Sequence, residues 1–164
     1  SRSEASRLVC HFGLPLAVAS HSFNVSRVLL ILEQLSASMD LIVTREHPDY
    51  AEKIIDIARA YFDLSGVTGY EMWCNGKNPG RHIDKDEILF REEKRLATPA
   101  CSAVFYAAVE NMLGGEFYTD DVRYFPKTNR LVLFSPGIEH GVSAYTGIRR
   151  AIALNPWRER PRGR

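Results

Sequence analysis

Two imidazoles and a carboxylate stand where they could share one metal ion. In the stretch Arg81-His82-Ile83-Asp84-Lys85-Asp86-Glu87, His82 and Asp84 are two residues apart and project to the same side if the segment is extended. A third ligand must come from elsewhere in the chain, and His140 is the best candidate. Two His plus one carboxylate leave three coordination positions open, the facial arrangement used for non-haem Fe(II) oxygen chemistry. The other histidines, His11, His21 and His47, read as structural or surface residues.

The elements that must position these ligands follow from apolar periodicity and turn residues. Residues 8–19 read as an irregular or extended lead-in broken by Gly13 and Pro15. Residues 27–39 carry a helix-like apolar pattern after Ser26 as N-cap. A second helix is predicted over 49–62, with Ile54, Ile55, Ile57, Ala58, Tyr61 and Phe62 forming one apolar stripe. After the turn Asp63-Leu64-Ser65-Gly66 the pattern changes to strands: 67–74, 100–107, 116–119, 122–125, 131–134 and 148–154. The loop 75–80 delivers the first ligand pair. The charge-dense stretch 85–98 reads as a flexible lid or a short helix, with Asp86 and Glu87 as a solvated charge run or as carboxylates orienting Arg81 or a ligand histidine. Two helices followed by short strands with regular turns predict a mainly β fold with flanking helices, an all-β barrel or sandwich.

Composition narrows the function classes. The 164 residues suit one domain, with helical support at about 24–64 and a β core at about 67–157. A net charge of +1 implies no bulk attraction to nucleic acid or anionic membrane, so neither is an expected partner. No stretch approaches the length of a membrane span. Residues 8–20 are interrupted by His11 and Pro15, which argues against a cleavable signal. The chain does not open on Met, and its start reads as trimmed. Cys10, Cys74 and Cys101 are odd in number and lack CxxC spacing, so neither a disulfide framework nor a thiolate zinc site is indicated. The cytoplasm or another reducing compartment fits. The basic tail 158–164 is expected to be frayed.

Order and context sharpen the metal reading. His82 and Asp84 follow the first strand, His140 follows the apolar strand 131–134, and Arg149 lies in the last strand. Between them stand Ser102-Ala103-Val104-Phe105-Tyr106, Gly114-Gly115-Glu116, Asn129-Arg130-Leu131-Val132-Leu133-Phe134, His140-Gly141-Val142 and Gly147-Ile148-Arg149. This series resembles the Fe(II)/2-oxoglutarate-dependent dioxygenases, specifically the prolyl-4-hydroxylase-type branch, over roughly residues 70–157.

The resemblance implies a double-stranded β-helix (a jelly-roll, cupin-like barrel) and a hydroxylase. Its cofactors would be Fe(II), 2-oxoglutarate as cosubstrate and O2, with ascorbate as a candidate accessory. It makes His82, Asp84 and His140 the metal ligands. Arg149 becomes the cation for the distal carboxylate of 2-oxoglutarate, chosen over the adjacent Arg150, which would face the other side of the strand. Tyr106 becomes a second contact for that carboxylate, and Tyr70, Trp73 and Asn75 are candidates for lining the pocket. A carboxylate at position 84, where related halogenases carry a small residue, favours hydroxylation. The implied substrate is a protein or peptide side chain, a free amino acid or another small metabolite. Two alternatives remain: a cupin-like metal dioxygenase or isomerase that does not use 2-oxoglutarate, and an inactive β-barrel binding module.

Overall fold

Two long strands, each continuously buried along one end, organise the protein. The computed structural model describes residues 6–11, 28–33, 48–74 and 80–162, with side chains from Ala51 onward, Cys74 excepted. Its elements in chain order are β1 (Ser6–His11), β2 (Val28–Glu33), α1 (Pro48–Arg59), β3 (Gly69–Cys74), α2 (Glu87–Glu93), β4 (Ser102–Gly114), β5 (Phe117–Tyr118), β6 (Arg123–Tyr124), β7 (Arg130–Phe134), β8 (Gly141–Val142) and β9 (Tyr145–Trp157). The larger sheet runs β1-β2-β7-β4-β9-β3, and the smaller runs β6-β5-β8. All pairings are antiparallel except β1 with β2.

The large sheet is covered on both faces, which is why β7 and the first half of β4 read as continuous apolar runs. Ala103, Phe105, Leu131, Leu133, Ile152 and Leu154 meet Ala51, Ile54, Ile55 and Ala58 of α1. Each isoleucine buried on this helix contributes roughly 1.5–3 kcal/mol relative to exposure. On the opposite face Val104, Tyr106, Val132, Phe134 and Ala151 pack with Phe117 of the small sheet and with Ile138. The cavity described below opens between these layers.

The mainly β architecture with flanking helices agrees with the sequence reading. Among the described residues the strands form two sheets and no closed barrel is seen. The helix expected over 27–39 is overturned: β2 occupies Val28–Glu33, flanked by β1 and β7. The run Val-Leu-Leu-Ile-Leu is apolar at every position, and such a run fits a strand buried between partners as well as a helix. Residues 34–39 and the side chains of His11, His21, His47, Cys10 and Cys74 lie outside the described set, as does Asn75. Among the described residues no helix is long and apolar enough to cross a membrane.

The charge-dense stretch after the ligand pair contains a short helix with a defined cap. Asp86 is buried, and its Oδ1 accepts the Leu89 N–H at 2.9 Å. Its Oδ2 accepts the Arg162 N–H at 2.7 Å, and Arg162 also pairs with Glu93. Burial raises the Asp86 carboxyl, but the backbone N–H groups of Arg162, Leu89 and Ile88 outweigh it and hold it below its usual range. Asp86 is therefore neither a solvated charge nor a partner of Arg81, whereas Glu87 is exposed and pairs with Lys85. The tail is tied down as far as Arg162. Arg158 donates to the carbonyls of Ser65 and Asp63, which corrects the expectation of a frayed terminus. Asp86→Ala removes a helix cap and the anchor of the tail together, so it is expected to destabilise the protein by about 1–2 kcal/mol in urea or thermal unfolding.

Cys101 is a free thiol with no exposed surface, and burial pushes it up to about 12. Only thiolate reacts with alkylating reagents. Peptide mass spectrometry should find Cys101 unlabelled in the native protein at neutral pH and labelled in denaturant.

Candidate metal centre

Two backbone hydrogen bonds bring the histidines together. His82 and His140 form an isolated antiparallel bridge, His82 N to His140 O at 2.8 Å and His140 N to His82 O at 2.9 Å. In an antiparallel pair, directly opposed residues project to the same side. The two rings accordingly lie with centroids 4.5 Å apart. Asp84, two residues on, points the same way: its Oδ1 is 3.4 Å from His82 Nε2 and its Oδ2 is 3.9 Å from His140 Nε2. One ligand atom from each of the three residues fits within a mutual spread of 4.8 Å.

Local backbone orients the rings. His82 Nδ1 lies 3.0 Å from the Gly80 carbonyl, and His140 Nδ1 lies 3.0 Å from the Ile138 carbonyl. A carbonyl only accepts, so each Nδ1 carries a proton and each Nε2 faces the Asp84 carboxylate: in the protonated ring Nε2 donates to it, and in the neutral ring Nε2 holds a lone pair for an ion. Fixing the tautomer through the remote nitrogen is the usual device for a metal-binding histidine.

The carboxylate and the second imidazole are nearly enclosed. The Asp84 side chain is 12% exposed and that of His140 is 7% exposed. His140 stacks on Phe117 at 5.4 Å and meets Phe134 edge-on at 4.6 Å. Ser102 Oγ donates to Asp84 Oδ2 at 2.7 Å. Burial raises the Asp84 carboxyl, but the His82 hydrogen bond, the His140 charge and the Ser102 hydrogen bond together bring it below its ordinary value. The hydrogen bond to Asp84 raises His82, while burial lowers His140. Outside this group, Arg81 pairs with Asp120 and with Glu139 at 3.0 Å, linking the residue before one histidine to the residue before the other.

The same cavity is lined by Trp73, Phe117, Val142 and Arg149 as well as the three candidate ligands. Arg149 is 7% exposed, whereas Arg150 is exposed. β9 alternates, so Arg149 shares the face of Ala151 that packs toward the small sheet. Two irregularities in the β4–β9 ladder flank it: one leaves Ala107 unpaired beside Tyr106, the other lies between Glu110 and Leu113. At the second, Gly147 takes φ +94°, and a Cβ there would fall 2.3 Å from the Asn111 carbonyl oxygen. Only glycine fits, and the bulge re-aims the strand two residues before Arg149.

The Arg149 guanidinium lies over the Tyr106 ring at 5.0 Å and near the Tyr145 ring at 5.8 Å. Its Nε and Nη2 are buried without a hydrogen-bond partner among the described residues, and so is the Tyr106 hydroxyl. Burial raises the Tyr106 phenol, and the Arg149 charge offsets part of this. A buried cation with unmet donors is costly. Beside a cavity, such a group offers donors to an anion.

The structure thus brings His82, Asp84 and His140 together, with Arg149 on the same cavity and Tyr106 against Arg149. Trp73 lines the cavity, while Tyr70 faces away and is 41% exposed. Sequence reasoning gave no role to Ser102, Phe117 or Phe134. The one serine inside the apolar run 100–107 was a usable signal for Ser102; nothing distinguishes the two phenylalanines from ordinary core. Neither a scan against protein-family models nor a search of curated proteins returns a match to the chain.

Proposed function

We propose that the protein is an Fe(II)- and 2-oxoglutarate-dependent oxygenase of the prolyl-4-hydroxylase type, built on a double-stranded β-helix, that hydroxylates a C–H bond. The observation that carries the proposal is one cavity holding both a two-histidine, one-carboxylate group and a buried arginine with unmet donors.

The residues present fit the group. Two imidazole Nε2 atoms and one carboxylate make a nitrogen and oxygen donor set that suits Fe(II) and leaves positions open for exogenous ligands. When bound, the iron supplies activation of O2, by which 2-oxoglutarate, O2 and R–H become succinate, CO2 and R–OH. His82, Asp84 and His140 hold the ion. Arg149 binds the distal carboxylate of 2-oxoglutarate, where its planar fork can donate two parallel hydrogen bonds. The Tyr106 hydroxyl adds a third donor to that carboxylate. Phe117 and Phe134 keep water from the side of His140, so the cosubstrate meets a site from which bulk solvent is excluded.

The unmet guanidinium favours this reading over a cupin-like enzyme without 2-oxoglutarate, which has no need of such a cation, and over an inactive binding module. The substrate belongs to one of three classes: a protein or peptide side chain, a free amino acid or another small metabolite. The deciding experiment incubates the chain with Fe(II), ascorbate and 2-oxoglutarate and measures succinate, with amino acids and peptides screened for stimulation. Iron-dependent succinate supports the proposal; iron binding without succinate under any added substrate sinks it.

A further inference from the structure

Asp84 is held by a residue outside the candidate ligand set. Ser102 is the first residue of β4 and is 1% exposed. Its neighbours Cys101 and Ala103 belong to the core on the α1 side. Alternation turns Ser102 itself to the opposite face, that of Val104 and Tyr106, where its hydroxyl reaches Asp84 Oδ2 at 2.7 Å. An ionised carboxylate only accepts, so the hydroxyl donates. Oδ1 meanwhile stays turned toward His82 Nε2 at 3.4 Å.

A carboxylate on an irregular segment between β3 and α2 has free rotation about its terminal torsion, which is broad in the absence of contacts. Among the described residues the polar side-chain partners of Asp84 are the two histidines and Ser102. The histidines would be engaged by a metal, so the hydroxyl is the contact left to fix the carboxylate plane. We propose that Ser102 is a positioning residue: its hydrogen bond to Asp84 Oδ2 fixes the carboxylate so that one oxygen faces a metal ion held by His82 and His140. The inference rests on the metal reading above and adds a partner that sets the strength and geometry of binding.

The test uses the full chain and Co(II) as a spectroscopic probe. Ser102→Ala removes one buried oxygen, and Ser102→Cys keeps the bulk but offers only a weak donor. Loss of a partner behind a ligand commonly weakens metal binding about 10- to 100-fold. Both variants are therefore expected to bind Co(II) more weakly by a factor in that range and to shift the visible absorption of the bound ion, while the metal-free proteins keep the parent circular dichroism. Ser102→Thr, which retains the hydroxyl, restores the parent spectrum. If Ser102→Ala binds Co(II) with parent affinity and an unchanged spectrum, the positioning role is overturned and the metal site stands. If the parent chain itself takes up no Co(II), the metal reading falls and the role of Ser102 falls with it.

Discussion

His140→Ala is expected to reduce Fe(II) uptake and 2-oxoglutarate turnover to background. Removing a group behind a ligand already lowers affinity about 10- to 100-fold, so losing a ligand lowers it by more than about a hundredfold. The same substitution also empties space against Phe117 and Phe134, both about 1% exposed, so part of its effect falls on stability. His82→Ala separates the two contributions, because the His82 side chain is 30% exposed and leaves little cavity. The expected outcome is loss of metal uptake and turnover in both variants, with a marked fall in unfolding temperature only for His140→Ala. Turnover that survives in His82→Ala would remove the ion from the proposed site.

Arg149→Ala should leave metal binding nearly intact and raise the 2-oxoglutarate requirement steeply. Truncating one partner of a buried, hydrogen-bonded charge pair costs about 2–5 kcal/mol, or roughly 30-fold to several thousandfold in affinity. Arg150→Ala is the matched control: its side chain is exposed and should change the requirement little. Stability gives a second readout with the opposite sign. The Arg149 guanidinium is buried with Nε and Nη2 unpartnered, so the empty protein bears the cost of an uncompensated charge. An apolar side chain of similar bulk carries no such desolvation cost. Arg149→Met is thus expected to melt no lower than the parent while failing to respond to 2-oxoglutarate. An unchanged cosubstrate requirement in both Arg149 variants would move the role to Arg150.

The parts of the structure that were readable in advance are those where one physical signal dominates. α1 was legible because Ile54, Ile55 and Ala58 recur at helical spacing against polar neighbours. β7 and the start of β4 were legible because short apolar runs end at turn residues such as Asn129 and Gly137, both at positive φ. β2 was misread because an apolar stretch without polar interruptions carries no period, and its partners β1 and β7 are remote in sequence. The reading of Asp86 failed for a related reason. A carboxylate among seven other charged residues from Arg81 to Glu93 looks solvated, and its contact with the tail at Arg162 is remote in sequence. The choice between Arg149 and Arg150 could be framed by strand alternation, yet the inward face depended on bulges that no single residue announces. Closure of the strands into a barrel is a property of the whole sheet, and local patterns do not carry it.

The bridge between His82 and His140 ties the segment that follows β3 to the turn that precedes β8, and among the described residues two backbone bonds make up that bridge. An ion gripped by both imidazoles would brace this single stitch. Whatever binds only the folded form stabilises it by mass action, about 2.7 kcal/mol when the free ion stands at a hundred times its dissociation constant. Iron supply would then govern not only how fast each molecule turns over substrate but how long it survives proteases. A cell starved of iron would hold fewer copies of the protein as well as idle ones, and immunoblots of chelator-treated cultures would register the shortfall.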